Sequence, residues 1–144
     1  MAYDIQIVVD AADAHAQAHW WAQTLGWNVE PQDEAFIRKM IDEGHATEAD
    51  TRTYQGKLVW HDVAISKADR SRRILFQAVP ESKVVKNRVH LDVWADDDPA
   101  TVVASLLERG ATKLYDASQG PHSWTTMADP EGNEFCVTAA PDRH

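Results

Sequence analysis

The segment 89–94 alternates apolar and polar residues with the two-residue period of a β-strand. One face of the predicted strand is aliphatic and suits a hydrophobic core. The other face carries an imidazole, a carboxylate and an indole, from His90, Asp92 and Trp94. This mixture of groups is typical of a sheet that binds a ligand, and it is equally compatible with a solvated edge strand.

A second segment, residues 5–10, alternates in the same way, and each predicted strand leads into a helix that ends at a glycine. Gln6 precedes Gly26 by 20 positions, and His90 precedes Gly110 by the same number. The chain is therefore predicted to contain two copies of one strand–helix unit. The repeat favours the ligand-binding interpretation of the polar strand face.

The two predicted helices begin near aspartates that can cap them. Asp13 precedes the first helix, and Asp97 is its counterpart 84 positions later, followed by Pro99 at a position suited to the first turn. His15 and His19 lie four residues apart on the first helix, a spacing that suits either a metal site or a solvated surface. The apolar stripe of the first helix consists of Ala14, Ala18, Trp21 and Leu25.

The segment 31–50 has no counterpart in the second half of the chain. A helix is predicted there from Asp33 to Gly44, and Thr47 and Asp50 are placed to frame a further helical turn. This insertion is either a lid over a pocket or an ordinary packing helix.

Length and composition suit one globular domain over residues 1–144, since 44% of the residues are hydrophobic and 26% are charged. No linker or low-complexity segment separates the two halves. The remaining predicted strands are 27–30, 57–63, 73–79, 112–115, 123–128 and 134–138, and the segment 129–133 is predicted to be a tight turn.

Charge and cysteine content exclude several classes of function. The net charge of −9 argues against nucleic acid and against anionic membranes as partners. The single cysteine, Cys136, cannot form an internal disulfide, which fits a reducing compartment such as the cytoplasm. The chain shows no leader sequence and no membrane span, so a soluble cytoplasmic protein is expected.

Two motifs resemble the vicinal-oxygen-chelate superfamily, and in particular its glyoxalase-like domains. They are Met-Ala-Asp-Pro-Glu-Gly-Asn-Glu-Phe-Cys-Val at 127–137 and Asn-Arg-Val-His-Leu-Asp at 87–92. The resemblance implies an α+β fold of two βαβββ modules, whose curled mixed sheets pair around a central cleft. Module 1 would span about 1–80 and module 2 about 85–140.

In metal-using members of this superfamily four residues line the cleft, one from the first strand and one from the last strand of each module. The first-strand positions fall on Gln6 and His90, and the last-strand positions, usually glutamates, fall on Gln77 and Cys136. This set is a poor cage for magnesium or manganese and suits a softer divalent metal such as zinc or copper. Glu134 is an alternative source of a carboxylate, and Cys136 is alternatively a small buried hydrophobe.

The resemblance leaves two functions open, both of which require a small-molecule ligand. The first is a lyase, isomerase or dioxygenase in which His90 is a ligand or base. The second is a metal-free protein that sequesters a planar aromatic compound, as in the bleomycin-resistance branch. Homodimers are common among the relatives, and a homodimer is expected here.

The indoles of the chain favour flat ligands. Trp94 and Asp92 share a strand face with His90, Trp124 lies on the strand before Cys136, and Trp60 is its expected counterpart in module 1. Arg88 and Lys86 are placed to meet an acidic group on the ligand. Since histidine titrates near neutral pH, binding or turnover should change between about pH 5.5 and 7.5.

Overall fold

In the computed structural model, which describes residues 2–96 and 98–141, the chain divides into two units with their boundary between Glu81 and Ser82. Each unit contains one four-stranded mixed sheet and a helix that follows its first strand. Among the described residues, no helix is long and apolar enough to cross a membrane.

The first unit is a βαβββ module with an insertion. Its sheet has the order β1-β6-β5-β2, in which β1 and β6 are parallel and the other pairs are antiparallel. Its elements are β1 (Ile7–Ala11), α1 (Ala14–Leu25), β2 (Asn28–Val29), α2 (Glu34–Asp42), a 3-10 turn (Glu48–Asp50), β3 (Thr51–Tyr54), β4 (Lys57–Trp60), β5 (Val63–Ser66) and β6 (Arg73–Ala78).

The second unit repeats this topology without an insertion. Its sheet has the order β7-β10-β9-β8, again with the first and last strands parallel and the other pairs antiparallel. Its elements are β7 (Leu91–Ala95), α3 (Pro99–Glu108), β8 (Thr112–Gln119), β9 (His122–Ala128) and β10 (Glu134–Ala139). The predicted repeat and the α+β class are confirmed.

Helix α1 forms where the sequence predicts it. The Asp13 side chain accepts a hydrogen bond from the Ala16 amide at 3.1 Å, and Gly26 ends the helix with a φ of 68°. Ala18 and Trp21 are buried as predicted. The buried face is wider than the predicted stripe because the insertion covers the helix as well as the sheet, and it includes His15.

The two histidines of α1 differ in exposure, since only His19 is exposed to solvent, and both contact the insertion. His15 is buried, and its Nε2 atom lies 2.7 Å from the Trp60 carbonyl oxygen. Both His15 and His19 stack on the ring of Tyr54, at centroid distances of 4.9 and 5.5 Å. Arg52 lies over the same ring and pairs with Asp13 at 2.9 Å. This cluster attaches the insertion to α1.

The insertion is larger than the predicted helical segment. The strand predicted at 57–63 is two strands, since β4 pairs with β3 in a separate hairpin and β5 belongs to the main sheet. The hairpin turns at Gln55 and Gly56, both with positive φ, as a two-residue turn of this kind requires. Trp60 pairs with Thr51 in this hairpin. It is therefore not the counterpart of Trp124, and that prediction is wrong.

The predicted capping features of the insertion are present. The Asp33 side chain accepts hydrogen bonds from the first amides of α2, and Thr47 and Asp50 form a capping box at the 3-10 turn. Ile37 of α2 is completely buried. This burial supports a packing role for the helix.

In the second unit, the aliphatic face of β7 turns toward the core. Leu91 and Val93 register with the buried Phe135 and Val137 of β10. Val89, which the alternation assigned to the same face, precedes the strand and is 81% exposed. Pro99 occupies the first turn of α3, as predicted. The predicted cap Asp97 lies outside the described residues.

The turn at 129–133 is organised by one buried carboxylate. The Asp129 side chain accepts hydrogen bonds from the amides of Glu131 and Asn133, both at 3.0 Å. Gly132 has a φ of 92°, a conformation that favours glycine. The Asp-Pro-Glu-Gly-Asn motif therefore sets the entry of the chain into β10.

Candidate functional site

The face of the second sheet opposite its core brings together an imidazole, a carboxylate and a thiol. Asp92 on β7 registers with Cys136 on β10, and Cys136 registers with Thr126 on β9. His90, just before β7, places its Nε2 atom 3.2 Å from Asp92 Oδ1. One ligand atom each from His90, Asp92 and Cys136 lies within 4.8 Å of the others.

The thiol and the imidazole–carboxylate pair differ in exposure. His90 and Asp92 are exposed, so both can meet a ligand from solvent. Cys136 is only 8% exposed, and its Sγ atom lies 3.5 Å from Thr126 Oγ1. Because Asp92 Oδ1 faces Nε2, the carboxylate favours a ring with its proton on Nε2, and in the neutral ring Nδ1 is then the nitrogen that can accept a proton.

A second row of side chains crosses the same face two residues further along the strands. Trp94 on β7 and Trp124 on β9 both register with Thr138 on the intervening strand β10. Neighbouring strands lie about 4.8 Å apart, so the two tryptophan backbones are separated by roughly 9–10 Å. Two aromatic residues thus flank one small residue, an arrangement that suits a flat ring between indoles.

These two rows line an open depression of about 1030 Å³. Lys86, Tyr115 and Glu134 also border it, whereas Arg88 does not. Trp94 is 46% exposed and Tyr115 is 52% exposed, so aromatic surface is available to a ligand. With Arg88 outside the lining, Lys86 is the one lysine or arginine among the described lining residues, and the case for a strongly acidic ligand is weakened.

The Glu134 carboxylate has two partners in the segment that precedes β7. One carboxylate oxygen lies 3.0 Å from Lys83 Nζ, and the other accepts a hydrogen bond from the Asn87 amide at 3.1 Å. Burial alone would raise the pKa of the Glu134 carboxyl, but the bond from Asn87 and the Lys83 ammonium outweigh it and lower the pKa to about 2. Glu134 is not part of the His90–Asp92–Cys136 group.

The corresponding positions of the first module carry no comparable group. Gln6 precedes β1 and its side-chain oxygen accepts a hydrogen bond from Arg73 Nη1 at 2.7 Å. Arg73 also forms a two-pronged ion pair with Glu30. Leu75 registers with Val8 as Cys136 registers with Asp92, so Leu75 occupies the last-strand position that the sequence assigned to Gln77.

Gln77 registers instead with Asp10, two residues further along the sheet. The offset arises because the insertion hairpin changes the spacing between the first and last strands of module 1, which the sequence does not reveal. Gln6 and Gln77 therefore lie four residues apart in register and do not form a pair like His90 and Cys136.

Sequence reasoning missed three residues of the second sheet, Thr126, Thr138 and Tyr115. Their positions follow from the strand register, and the β-bulge between Lys113 and Tyr115 shifts the register of β8. The available signal was the two-residue alternation of β9 and β10, which places Thr126 with Trp124 and Thr138 with Cys136.

The sequence matches the family model described as a glyoxalase-like domain over residues 6–138. The chain belongs to this glyoxalase-like family. A comparison with curated proteins finds no significant match.

Solved structures of the same fold cover nearly the whole chain. One is the fosfomycin resistance protein FosX from Listeria monocytogenes, with 8% identity, a TM-score of 0.62 and coverage of 98% of this chain and 95% of that one. A second is a bleomycin resistance determinant encoded on transposon Tn5, with 12% identity, a TM-score of 0.55 and coverage of 98% and 100%. A third is the oxidase ChaP-H2, with 15% identity, a TM-score of 0.59 and coverage of 98% and 96%. At these identities the likeness shows the fold alone.

Proposed function

We propose that this glyoxalase-like chain binds a small planar molecule on the open face of the second sheet and moves a proton on it, as a lyase or isomerase does. The observation that carries the proposal is the His90–Asp92 pair, with Nε2 and Oδ1 3.2 Å apart, beside the two tryptophans that flank Thr138. An imidazole oriented by a carboxylate is a common acid–base unit.

The His90–Asp92 pair is suited to moving a proton between two atoms of a bound carbonyl compound. His90 Nδ1 takes a proton from a carbon next to a carbonyl, and the C–H electron pair moves into the carbonyl to give an enolate. If the deprotonated carbon carries a hydroxyl, the hydroxyl proton passes to the enolate oxygen, the imidazolium returns its proton to the former carbonyl carbon, and the hydroxyl carbon becomes the new carbonyl, which completes an isomerisation. If the carbon on the other side of the deprotonated one carries a leaving group, the enolate re-forms the carbonyl as that group departs with its bonding pair, which completes an elimination. Asp92 stabilises the imidazolium that forms between these steps.

The donor set also fits one class of divalent metal. A thiolate, an imidazole and a carboxylate from Cys136, His90 and Asp92 suit zinc, whereas magnesium and manganese prefer oxygen ligands. When bound, such an ion supplies Lewis-acid polarisation of a substrate oxygen. His90 would then serve as a ligand together with Asp92 and Cys136.

The lining of the depression defines the class of ligand. Trp94, Trp124 and Tyr115 favour a flat unsaturated molecule, and each good stacking contact contributes about 0.5–1.5 kcal/mol beyond the burial of area. Among the lining carboxylates, Asp116 pairs with Lys113 and Asp92 lies next to His90. Because Lys86 is the one lysine or arginine in the described lining, a neutral or weakly charged ligand fits best.

The test is proton exchange in D₂O. A panel of planar carbonyl compounds with a neighbouring hydroxyl or carboxyl oxygen is incubated with the protein, and loss of carbon-bound ¹H is followed by NMR. His90→Ala and Asp92→Asn should each reduce exchange by about 10²–10⁴-fold. Equal exchange rates in these variants and in the wild type contradict the acid–base assignment.

Metal-free sequestration of a planar aromatic compound is the second candidate. The exposed aromatic surface of Trp94 and Tyr115 favours it. Tight binding measured by tryptophan quenching, without proton exchange in any ligand of the panel, would support this function over the enzyme.

We also infer a homodimer, in keeping with the family resemblance. The exposed apolar residues Leu107 and Leu114 of the second module are candidates for its interface. Sedimentation velocity tests this inference, since a monomer at micromolar concentration contradicts it.

A further inference from the structure

The segment that leads into β7 has few anchors of its own. Residues 84, 85 and 89 of this segment are valines with 76–85% of their surface exposed, and no helix or strand forms between Ser82 and His90. Both Lys86 and His90, which border the depression, lie on it. Something other than local packing must fix the position of His90.

Glu134 supplies the anchor from the neighbouring strand. Its two carboxylate oxygens are divided between the Lys83 ammonium and the Asn87 amide, so one side chain holds the segment at two points. Lys83 and Glu134 are largely buried, with 18% and 14% of their side chains exposed. A charge-assisted hydrogen bond with little solvent competition is stronger than an exposed one.

The first module has an anchor at the same register position. In each module the first and last strands are parallel and in register. If that register is continued one residue before the strands begin, Arg73 lies beside Gln6 and Glu134 lies beside His90. Arg73 donates directly to the Gln6 side chain at 2.7 Å, whereas Glu134 holds the chain three residues before His90. The second anchor therefore leaves the imidazole available for Asp92.

We propose that Glu134 is a positioning residue: by tethering Lys83 and Asn87 it fixes the segment that carries His90 and so maintains the His90–Asp92 pair. The inference rests on the proposed function for its purpose, but the tether itself is a property of the chain. Its failure can therefore be observed separately from failure of the acid–base or zinc proposal.

The experiment compares Glu134→Gln, Lys83→Met and Lys83→Arg with a matched control, Lys113→Met. Lys113 forms an ion pair with Asp116 in the same module and does not line the depression. Three quantities are measured: hydrogen exchange of the Asn87 amide, the ¹H–¹⁵N signals of the His90 ring that report the bond to Asp92, and the affinity for Co²⁺ as a zinc substitute.

Glu134→Gln should raise Asn87 exchange by about tenfold or more, because a hydrogen bond to a charged group is lost. It should also broaden or shift the His90 ring signals and lower Co²⁺ affinity by about 10–100-fold. Lys83→Met should act in the same direction and Lys83→Arg should restore wild-type behaviour, while Lys113→Met changes none of the three.

Unchanged His90 signals and Asn87 exchange in both Glu134→Gln and Lys83→Met would overturn the proposal. Equal effects of Lys83→Met and Lys113→Met would overturn it too, because the effect would then be general loss of stability. If the wild type binds no Co²⁺, the zinc proposal fails, and the exchange and ring signals still decide whether Glu134 positions His90.

Discussion

The two modules share one topology and one register but place different chemistry at equivalent points. In the first module, Gln6 is held by the Arg73–Glu30 ion pair, and Leu75 occupies the last-strand position. In the second, the equivalent residues are His90 and Cys136, joined by Asp92. A duplicated fold can thus keep its core in both halves while one half keeps the reactive groups.

The largest expected effect is on the free energy of unfolding, because both modules have a buried hydrophobic core. Phe76 of the first module and Phe135 of the second are both almost completely buried. Phe76→Ala and Phe135→Ala should each reduce the free energy of unfolding by about 3–5 kcal/mol, because each leaves a cavity. Urea denaturation measures this, and a loss below 1 kcal/mol in either variant would show that the two cores are not equivalent.

The next largest effect is on Co²⁺ affinity, which should depend on the second module and not on the first. His90→Ala should lower Co²⁺ affinity by at least about 100-fold, since one of three protein ligands is lost, whereas Gln6→Ala should change it less than twofold. The cobalt–thiolate absorption band provides the measurement, and Cys136→Ser should abolish that band. Equal loss of affinity in the Gln6 and His90 variants would mean that both modules hold the ion.

Aromatic substitutions sharpen the comparison on the ligand side. Trp94→Phe and Trp124→Phe should each weaken binding of a planar ligand by about 2–10-fold, the equivalent of 0.5–1.5 kcal/mol. Trp60→Phe is the matched control, because Trp60 lies in the insertion hairpin of the first module. Ligand titration by fluorescence quenching measures the affinity of each variant. A larger effect of Trp60→Phe would indicate that the ligand binds to the first module.

The smallest effect is a pH dependence specific to the first module. Burial lowers the pKa of His15, so protons bind more strongly to the unfolded chain than to the folded one. The resulting stability is complete above the ordinary histidine pKa of about 6.5 and falls as the pH drops below it. Urea midpoints at pH 7.5 and 5.5 should differ less in His15→Gln than in the wild type.

That result depends on His15 and not on its neighbour. His19 is exposed, so His19→Gln should retain the wild-type pH dependence. If the two variants lose it equally, the stacking on Tyr54, and not the burial of one imidazole, accounts for the effect.

The sequence predicts the repeat well because strand alternation and helix capping are local properties. The polar face of β7, the Asp13 cap and the Thr47–Asp50 box all follow from residues within one element. The motif at 129–133 is also local, since Asp129 bonds to amides two and four residues away.

What the sequence misses depends on pairing between distant strands. The predicted strand at 57–63 joins β4 to the start of β5 and leaves out β3, so Trp60 is misplaced. The last-strand position is likewise assigned to Gln77, whereas the register gives Leu75. The sequence suggests Glu134 as a metal ligand because it lies two residues before Cys136, on the same face of the strand. Its partners Lys83 and Asn87 lie 51 and 47 residues away, and only the fold brings them together.

Chemical-shift mapping tests the central claim most directly. A planar ligand from the quenching screen is titrated into ¹⁵N-labelled protein, and backbone amides and indole Nε1–H signals are followed. We expect the largest changes at Asp92–Trp94, at Trp124–Thr126 and at Cys136–Thr138, together with the indoles of Trp94 and Trp124. Largest changes in β4, β5 and β6 of the first module, with these signals unmoved, would contradict the account.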